Sequence, residues 1–310
     1  MSTRWTTIAG MDLSLERIEA AQEKIDPVFL ETPQFVDERL SAAFGREVLV
    51  KVETLNPIGS FKGRGTWLLA QELNPARTWV CATAGNFGQG LAYAARERGA
   101  RVDVFVSADV SPAKVDRMRA IGARVEVSER PDSAAREHAE DNGGILVKDG
   151  LHPAIAEGAG TIGVELGRAA PVDTVIVQVG DGALISGVAR WLKGTDPRPR
   201  VVGVCASGAP AMADSFAAGR PMSVAGDGTI ATALAITEPV PESLARIMAL
   251  VDDIVQVDDD ELRRAMELVV GTLGVLVEPA GAAGVAALAR HAETIPGDSV
   301  AVLLTGAGEA

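Results

Sequence analysis

The sequence predicts an α/β protein of two lobes, each with a central, mostly parallel sheet flanked by helices. Three observations predict it. Short β-rich runs recur along the chain, amphipathic stretches of helical length lie between them, and caps and glycines close those stretches. The runs are EVLVKV (47–52), TWVCAT (78–83), RVDVFV (101–106), RVEV (124–127), TVIVQV (174–179), RVVGVC (200–205) and SVAVLLT (299–305). Strands that alternate with helices in this way form parallel sheet. Helices are expected at 86–98, closed by Gly99; at 112–121, capped by Ser111 and closed by Gly122; and at 260–270, whose acidic start DDDEL suits a helix N-terminus. The N-terminal helix SLERIEAAQEKI is expected to pack on the second lobe, so that the chain leaves and returns. That divides it into a large domain, 1–50 with 146–310, and a small domain, 51–145.

At 310 residues and 47% hydrophobic, the chain is long enough for two cores. Its net charge of -13 and the lack of any Lys/Arg cluster argue against a nucleic-acid face. No apolar run approaches a membrane span, and the start, MSTRWTTIAGMDLSLERIEA, lacks a signal-type segment, so no membrane partner and a cytoplasmic location are expected. Cys81 and Cys205 each end an apolar run, where cysteine behaves as a small buried hydrophobe, and no disulfide framework is implied.

Three stretches carry chemistry. NPIGSFKGRG (56–65) sets Lys62 between a Pro-x-Gly turn and a second glycine pair, a loop shaped for close approach of backbone to a ligand. VGDGALISG (179–187) follows a strand and opens a helix, so its amides offer an anion site; an ordinary tight turn is the alternative. TAGNFGQG (83–90) again joins a strand to a helix, with Asn86 either a plain cap or a hydrogen-bond donor to a ligand. Other chemistries fit less well. A dinucleotide fingerprint fails because Ile185 stands at the third glycine and Cys205 where a ribose-gripping acid belongs. No Gly-Lys-Ser or Gly-Lys-Thr loop and no Gly-x-Ser-x-Gly elbow occurs, and His138, His152 and His291 are too scattered for a metal cage.

Read together, SFKGRG, TAGNFGQG, GDGALISG, EPAGAAG and LLTGAG resemble, in order and spacing, the fold type II pyridoxal-phosphate enzymes, and most closely their serine/threonine dehydratase and serine racemase branch. The resemblance runs from about residue 25 to the C-terminus. It implies pyridoxal 5'-phosphate as cofactor, held mainly by the large domain, and a homodimer. It implies that Lys62 forms the Schiff base and acts as base, with Ser60 and Phe61 setting its approach and Phe61 lying against the cofactor ring. Asn86 would bond the cofactor's phenolic oxygen, Thr83, Ala84, Gly85, Asn86 and Phe87 would hold the substrate carboxylate, and Ser60 is also expected among the substrate-binding residues. Gly180, Asp181, Gly182, Ala183 and Leu184 would hold the phosphate, with Asp181 contributing its amide and turning its side chain away. Thr305 would face the pyridine nitrogen, with Glu278 nearby.

These residue types suit one chemistry. A lysine amine joins the cofactor aldehyde, a substrate amino group displaces it, and the freed amine takes the Cα proton. A hydroxyl at the pyridine nitrogen favours β-elimination over transamination, so the expected activity is an ammonia-lyase: a β-hydroxy or β-substituted amino acid gives a 2-oxo acid and ammonia. The alternatives are β-replacement, racemisation, or cofactor binding with little catalysis. Racemisation is disfavoured because Ala84 stands where the racemases carry a serine. Cys205 replaces the glutamate that ligates a structural cation in many relatives, so no divalent metal is expected. Phe87 replaces a histidine, TIATAL (229–234) replaces Thr-Ile-Ala-Asp-Gly, and the segment after His152-Pro153 is short, so the substrate pocket is expected to be more apolar or differently shaped. The chain ends soon after Thr305, so no regulatory domain and no feedback control are expected.

Overall fold

The computed structural model describes residues 11–83, 85–108, 110–169, 171–226 and 228–309. The strands are β1 (Gln34–Val36), β2 (Glu47–Val52), β3 (Trp79–Ala82), β4 (Val102–Val106), β5 (Arg124–Val127), β6 (Ile145–Leu146), β7 (Thr174–Gln178), β8 (Arg200–Ala206), β9 (Asp253–Val257) and β10 (Ser299–Leu304). Among the described residues they form a six-stranded sheet, ordered β1-β2-β10-β7-β8-β9, and a four-stranded sheet, ordered β5-β4-β3-β6. All pairings are parallel except β1 on β2. The architecture is thus the α/β fold with mostly parallel sheets that the alternation predicts. β1, β6 and β9 are additions to the sequence reading. β1 and β6 span three and two residues, too short for any period to show.

Helices follow most strands. Those that matter for the site are α1 (Leu15–Ala21), α2 (Glu38–Phe44), α3 (Lys62–Ala70), α4 (Asn86–Glu97), α5 (Pro112–Ile121), α6 (Pro131–Asp141), α7 (Pro153–Gly167) and α8 (Ala183–Leu192). The glycine stops work as expected: Gly122 closes α5 in the left-handed conformation with φ 112°. The start of α1 is also explained locally, since the Ser14 side chain accepts from Arg17 N. Its buried Leu15 and Ile18 join the cluster that contains Val188 and Trp191 of α8.

Register decides where the loops meet. β10 runs in step with β2, Ser299 beside Glu47 and Leu304 beside Val52, and β7 lies on its other side. Three parallel strands therefore end side by side, and the segments that follow them, from residues 53, 179 and 305, converge. Ligands bind at the carboxyl ends of such strands.

Behind this rim lies α7, buried over nearly its whole length. A Cβ on Gly158 would sit 2.6 Å from the Arg64 carbonyl oxygen, so α3 and α7 touch backbone to backbone. The contact carries a buried ionic network. Arg64, with no exposed surface, donates from Nε and Nη2 to Glu53 at 2.9 and 2.8 Å and from Nη1 to Glu165 at 2.6 Å and Thr161 at 2.9 Å. Lys51 Nζ donates to Glu165 at 2.5 Å. Burial alone would raise the Glu165 carboxyl, but hydrogen bonds from Arg64 and the charges of Arg64 and Lys51 hold it below its usual range.

Candidate active site

Lys62 is placed by a turn folded on itself. Asn56 Oδ1 accepts from Ile58 N and Ser60 N, both at 3.2 Å, while its Nδ2 donates to the Ser60 carbonyl at 3.1 Å. Gly59 has φ 62°, the left-handed turn that lets the chain double back. The turn is then stitched to the segment after β10: Phe61 N donates to Thr305 O at 3.2 Å, Ala307 N donates to Gly59 O at 2.8 Å, and Ser60 bridges Gly306. α3 begins at Lys62 itself, whose N–H donates to Ser60 Oγ at 3.2 Å. The amine projects past two aromatic faces, 4.9 Å from the Phe61 ring centroid and 5.8 Å from that of Phe87.

It enters a cavity of about 300 Å³. The wall brings together Phe61, Lys62, Thr83, Gly85, Asn86, Phe87, the turn Gly180, Asp181, Gly182, Ala183 and Leu184, and Glu278 and Thr305. Ser60, expected on the substrate side, is fully buried, and its Oγ accepts from the Lys62 amide. Ala84 lies outside the described residues.

On one side of the cavity is an anion cradle. Gly182 at φ 91° turns the chain into α8, whose first turn has no side-chain cap. A Cβ on Gly180 would strike the Ala233 carbonyl oxygen at 2.3 Å, so the cradle admits no side chain there. Across from it, Asn86 Nδ2 donates to Glu278 Oε1 at 2.8 Å, and Lys114 Nζ reaches Glu278 Oε2 at 3.3 Å. A Cβ on Gly306 would lie 2.2 Å from that carboxylate. Glu278 thus gathers Asn86 and Lys114 on this side of the site.

Asp181, expected to contribute its amide, lies against Gly150 on the neighbouring loop. It is part of the wall, and burial first, then the charge of Asp149, push its carboxyl up to about 7, with Lys62 and Lys148 partly offsetting them. Asp149 itself was not foreseen. Its Oδ2 forms an ion pair with Lys62 Nζ, and its Oδ1 accepts from Gly150 N at 3.0 Å. Lys114, Asp132, Lys148, Ala235 and Ile236 were also missed as lining, whereas Thr232, Ala233 and Leu234 come from the TIATAL segment expected near the substrate. In the sequence, VKDG follows a strand of only two residues, so nothing marked Asp149 as standing at a strand end.

The arrangement offers an amine, an anion cradle at a helix start, an aromatic face and a fixed amide donor within one cavity. These match the aldehyde, phosphate, ring and phenolic oxygen of pyridoxal phosphate, so the residues present fit that group.

Comparison with known proteins agrees. The family model for pyridoxal-phosphate dependent enzymes matches residues 25–306. The L-threonine ammonia-lyase of Thermotoga maritima is 32% identical over 302 residues, covering 95% of this chain and 75% of that protein. A serine racemase of Oryza sativa subsp. indica is also 32% identical, over 291 residues, covering 90% of this chain and 84% of that protein. The crystal structure of a threonine deaminase from T.th. superposes with a TM-score of 0.90 at 30% identity, covering 96% of this chain and 99% of that one. With the family model matching most of its length, this chain belongs to the pyridoxal-phosphate dependent enzymes.

Proposed function

We propose that the protein is an amino-acid ammonia-lyase, which eliminates the β-substituent of a β-hydroxy or similarly β-substituted amino acid to release a 2-oxo acid and ammonia. Serine and threonine are the first candidates, supported by the similarity to the threonine ammonia-lyase and threonine deaminase. The observation that carries the reading is that the Lys62 amine, the glycine turn from Gly180 to Leu184 and the Asn86–Glu278 pair line one cavity. Pyridoxal phosphate, when bound, supplies an aldehyde for the amino groups and a ring that takes up the electron pair left at Cα.

The chain supplies the rest. Lys62 anchors the cofactor and takes the Cα proton at Nζ. The amides from Gly180 to Leu184 hold the phosphate at the start of α8. Phe61 and Phe87 flank the amine. Thr83, Gly85 and Asn86, at the start of α4, would bind the substrate carboxylate, and Thr305 would face the pyridine nitrogen; all four line the cavity. We also place the protein in the cytoplasm as a homodimer. Both cysteines are buried free thiols, and no helix of the described residues is long and apolar enough to cross a membrane.

Lys62→Ala tests the assignment. The variant should lose the bound cofactor's visible absorption band, and ammonia release from serine or threonine should fall at least about 10²-fold. A variant with an unchanged band and full turnover would sink it.

A further inference from the structure

The charged group in contact with the Lys62 amine is not part of the expected site. Asp149 lies on the loop between β6 and α7, its side chain 13% exposed against 17% for that of Lys62. The loop is held from outside: Arg246 donates to Gly150 O at 3.0 Å and Leu151 O at 3.3 Å while paired with Asp12 at 2.5 Å. It is held from inside by the phosphate turn, because a Cβ on Gly150 would lie 3.0 Å from both Cβ and the carbonyl oxygen of Asp181. Asp149 is thus a fixed carboxylate, one oxygen on its own loop and the other on the amine that would take the Cα proton.

The geometry points to Asp149 as the acid that returns this proton to the leaving group. The inference rests on the elimination reading above. Lys62 Nζ takes the Cα proton and becomes an ammonium facing the Asp149 carboxylate with which it pairs. The electron pair left at Cα forms the Cα–Cβ double bond as the Cβ–O bond breaks, with its electrons on oxygen. The Lys62 ammonium passes its proton to the ionised Asp149 Oδ2, and Asp149 hands that proton to the departing oxygen. Water leaves, the amine and the carboxylate are restored, and no other donor is consumed. The further charged groups lining the cavity are Asp181, Lys148, Asp132, Lys114 and Glu278, and among the described residues the ion pair at Lys62 Nζ is with Asp149.

The role predicts a dependence on the leaving group, because a hydroxyl needs a proton to depart and a chloride does not. Asp149→Asn should lower kcat for serine by about 10²-fold. For β-chloroalanine, with the same carbon skeleton, the loss should stay within about threefold. Asp149→Glu should recover part of the serine activity. A second readout needs no turnover: with the neighbouring negative charge removed, the midpoint of the pH titration of the bound cofactor's visible band should fall by about 1 unit. An equal loss on both substrates, or no loss on serine, overturns the proposal. So does an unmoved midpoint in a variant that melts like wild type. If wild-type enzyme releases 2-oxo acid from neither substrate, the elimination reading itself fails and takes this role with it. If wild type turns over both and Asp149→Asn matches it, only this role fails.

Discussion

Asp181 places an acid within the turn that is shaped for a phosphate, and the structure gives that choice a consequence for stability. Its carboxyl rises from 3.8 to about 7 through burial and the charge of Asp149. An acid raised in this direction keeps a proton in the folded state that the unfolded chain has already released. Folding is therefore penalised progressively as pH rises from about 4 through 7. Asp181→Asn removes the titration. In cofactor-free protein its Tm should match wild type near pH 4 and exceed it by about 2 °C or more at pH 8. A difference that stays flat with pH would show that the carboxyl is solvated in the fold. The same variant places a neutral side chain in the phosphate turn, so it should also bind inorganic phosphate more tightly, read as a larger rise in Tm with added phosphate.

At the scale of elements, α3 has two jobs that the sequence shows unequally. Its first residue, Lys62, could be singled out because glycines and a proline crowd around it. Arg64, two residues on, gave no signal, although it fixes the helix through Glu53 on one side and Glu165 on the other. A buried ionic network is built from residues distant in sequence, and a single Arg in SFKGRG reads like any loop cation. Strands were legible where runs of β-branched residues are bounded by turns, and helices where caps and glycines stop them, as at Gly99 and Gly122. Asp149 was not, because its position depends on how β6 ends and on where Arg246 reaches. Arg64→Met should lower stability by about 3–5 kcal/mol, because it leaves the carboxylates of Glu53 and Glu165 buried without their shared cation. Arg64→Lys, which keeps the charge but loses the planar fork, should fall between. The urea midpoints of the three proteins check the order, and a Met variant as stable as wild type would mean that water reaches the network.

At the scale of the molecule, the two sheets face one cavity, and side chains of α4 and α5 reach across it to Glu278. We propose a small domain at 51–145 and a large one at 1–50 with 146–310, of which the end of β2 and α3 stay fixed to the large one through β10 and Glu165, so that the moving part is the four-stranded sheet with α4 and α5. Glu278 is the joint that the structure offers for such a motion. It stands at the start of the helix Pro279–Arg290 and receives Asn86 from α4 and Lys114 from α5, so one carboxylate holds two helices of the four-stranded sheet. A further contact, Ser111 Oγ to Glu309 at 2.8 Å, lies at the exposed edge and should count for less in water. Glu278→Ala should therefore loosen the small sheet's side of the cavity without unfolding either core. Amide hydrogen exchange should quicken in 85–97 and 111–121, while β7 and β8, buried in the six-stranded sheet, keep their protection. Faster exchange throughout both sheets would show that Glu278 supports the whole fold. Unchanged exchange in α4 and α5 would show that the two sheets are joined rigidly by other contacts, and the proposed division would fail.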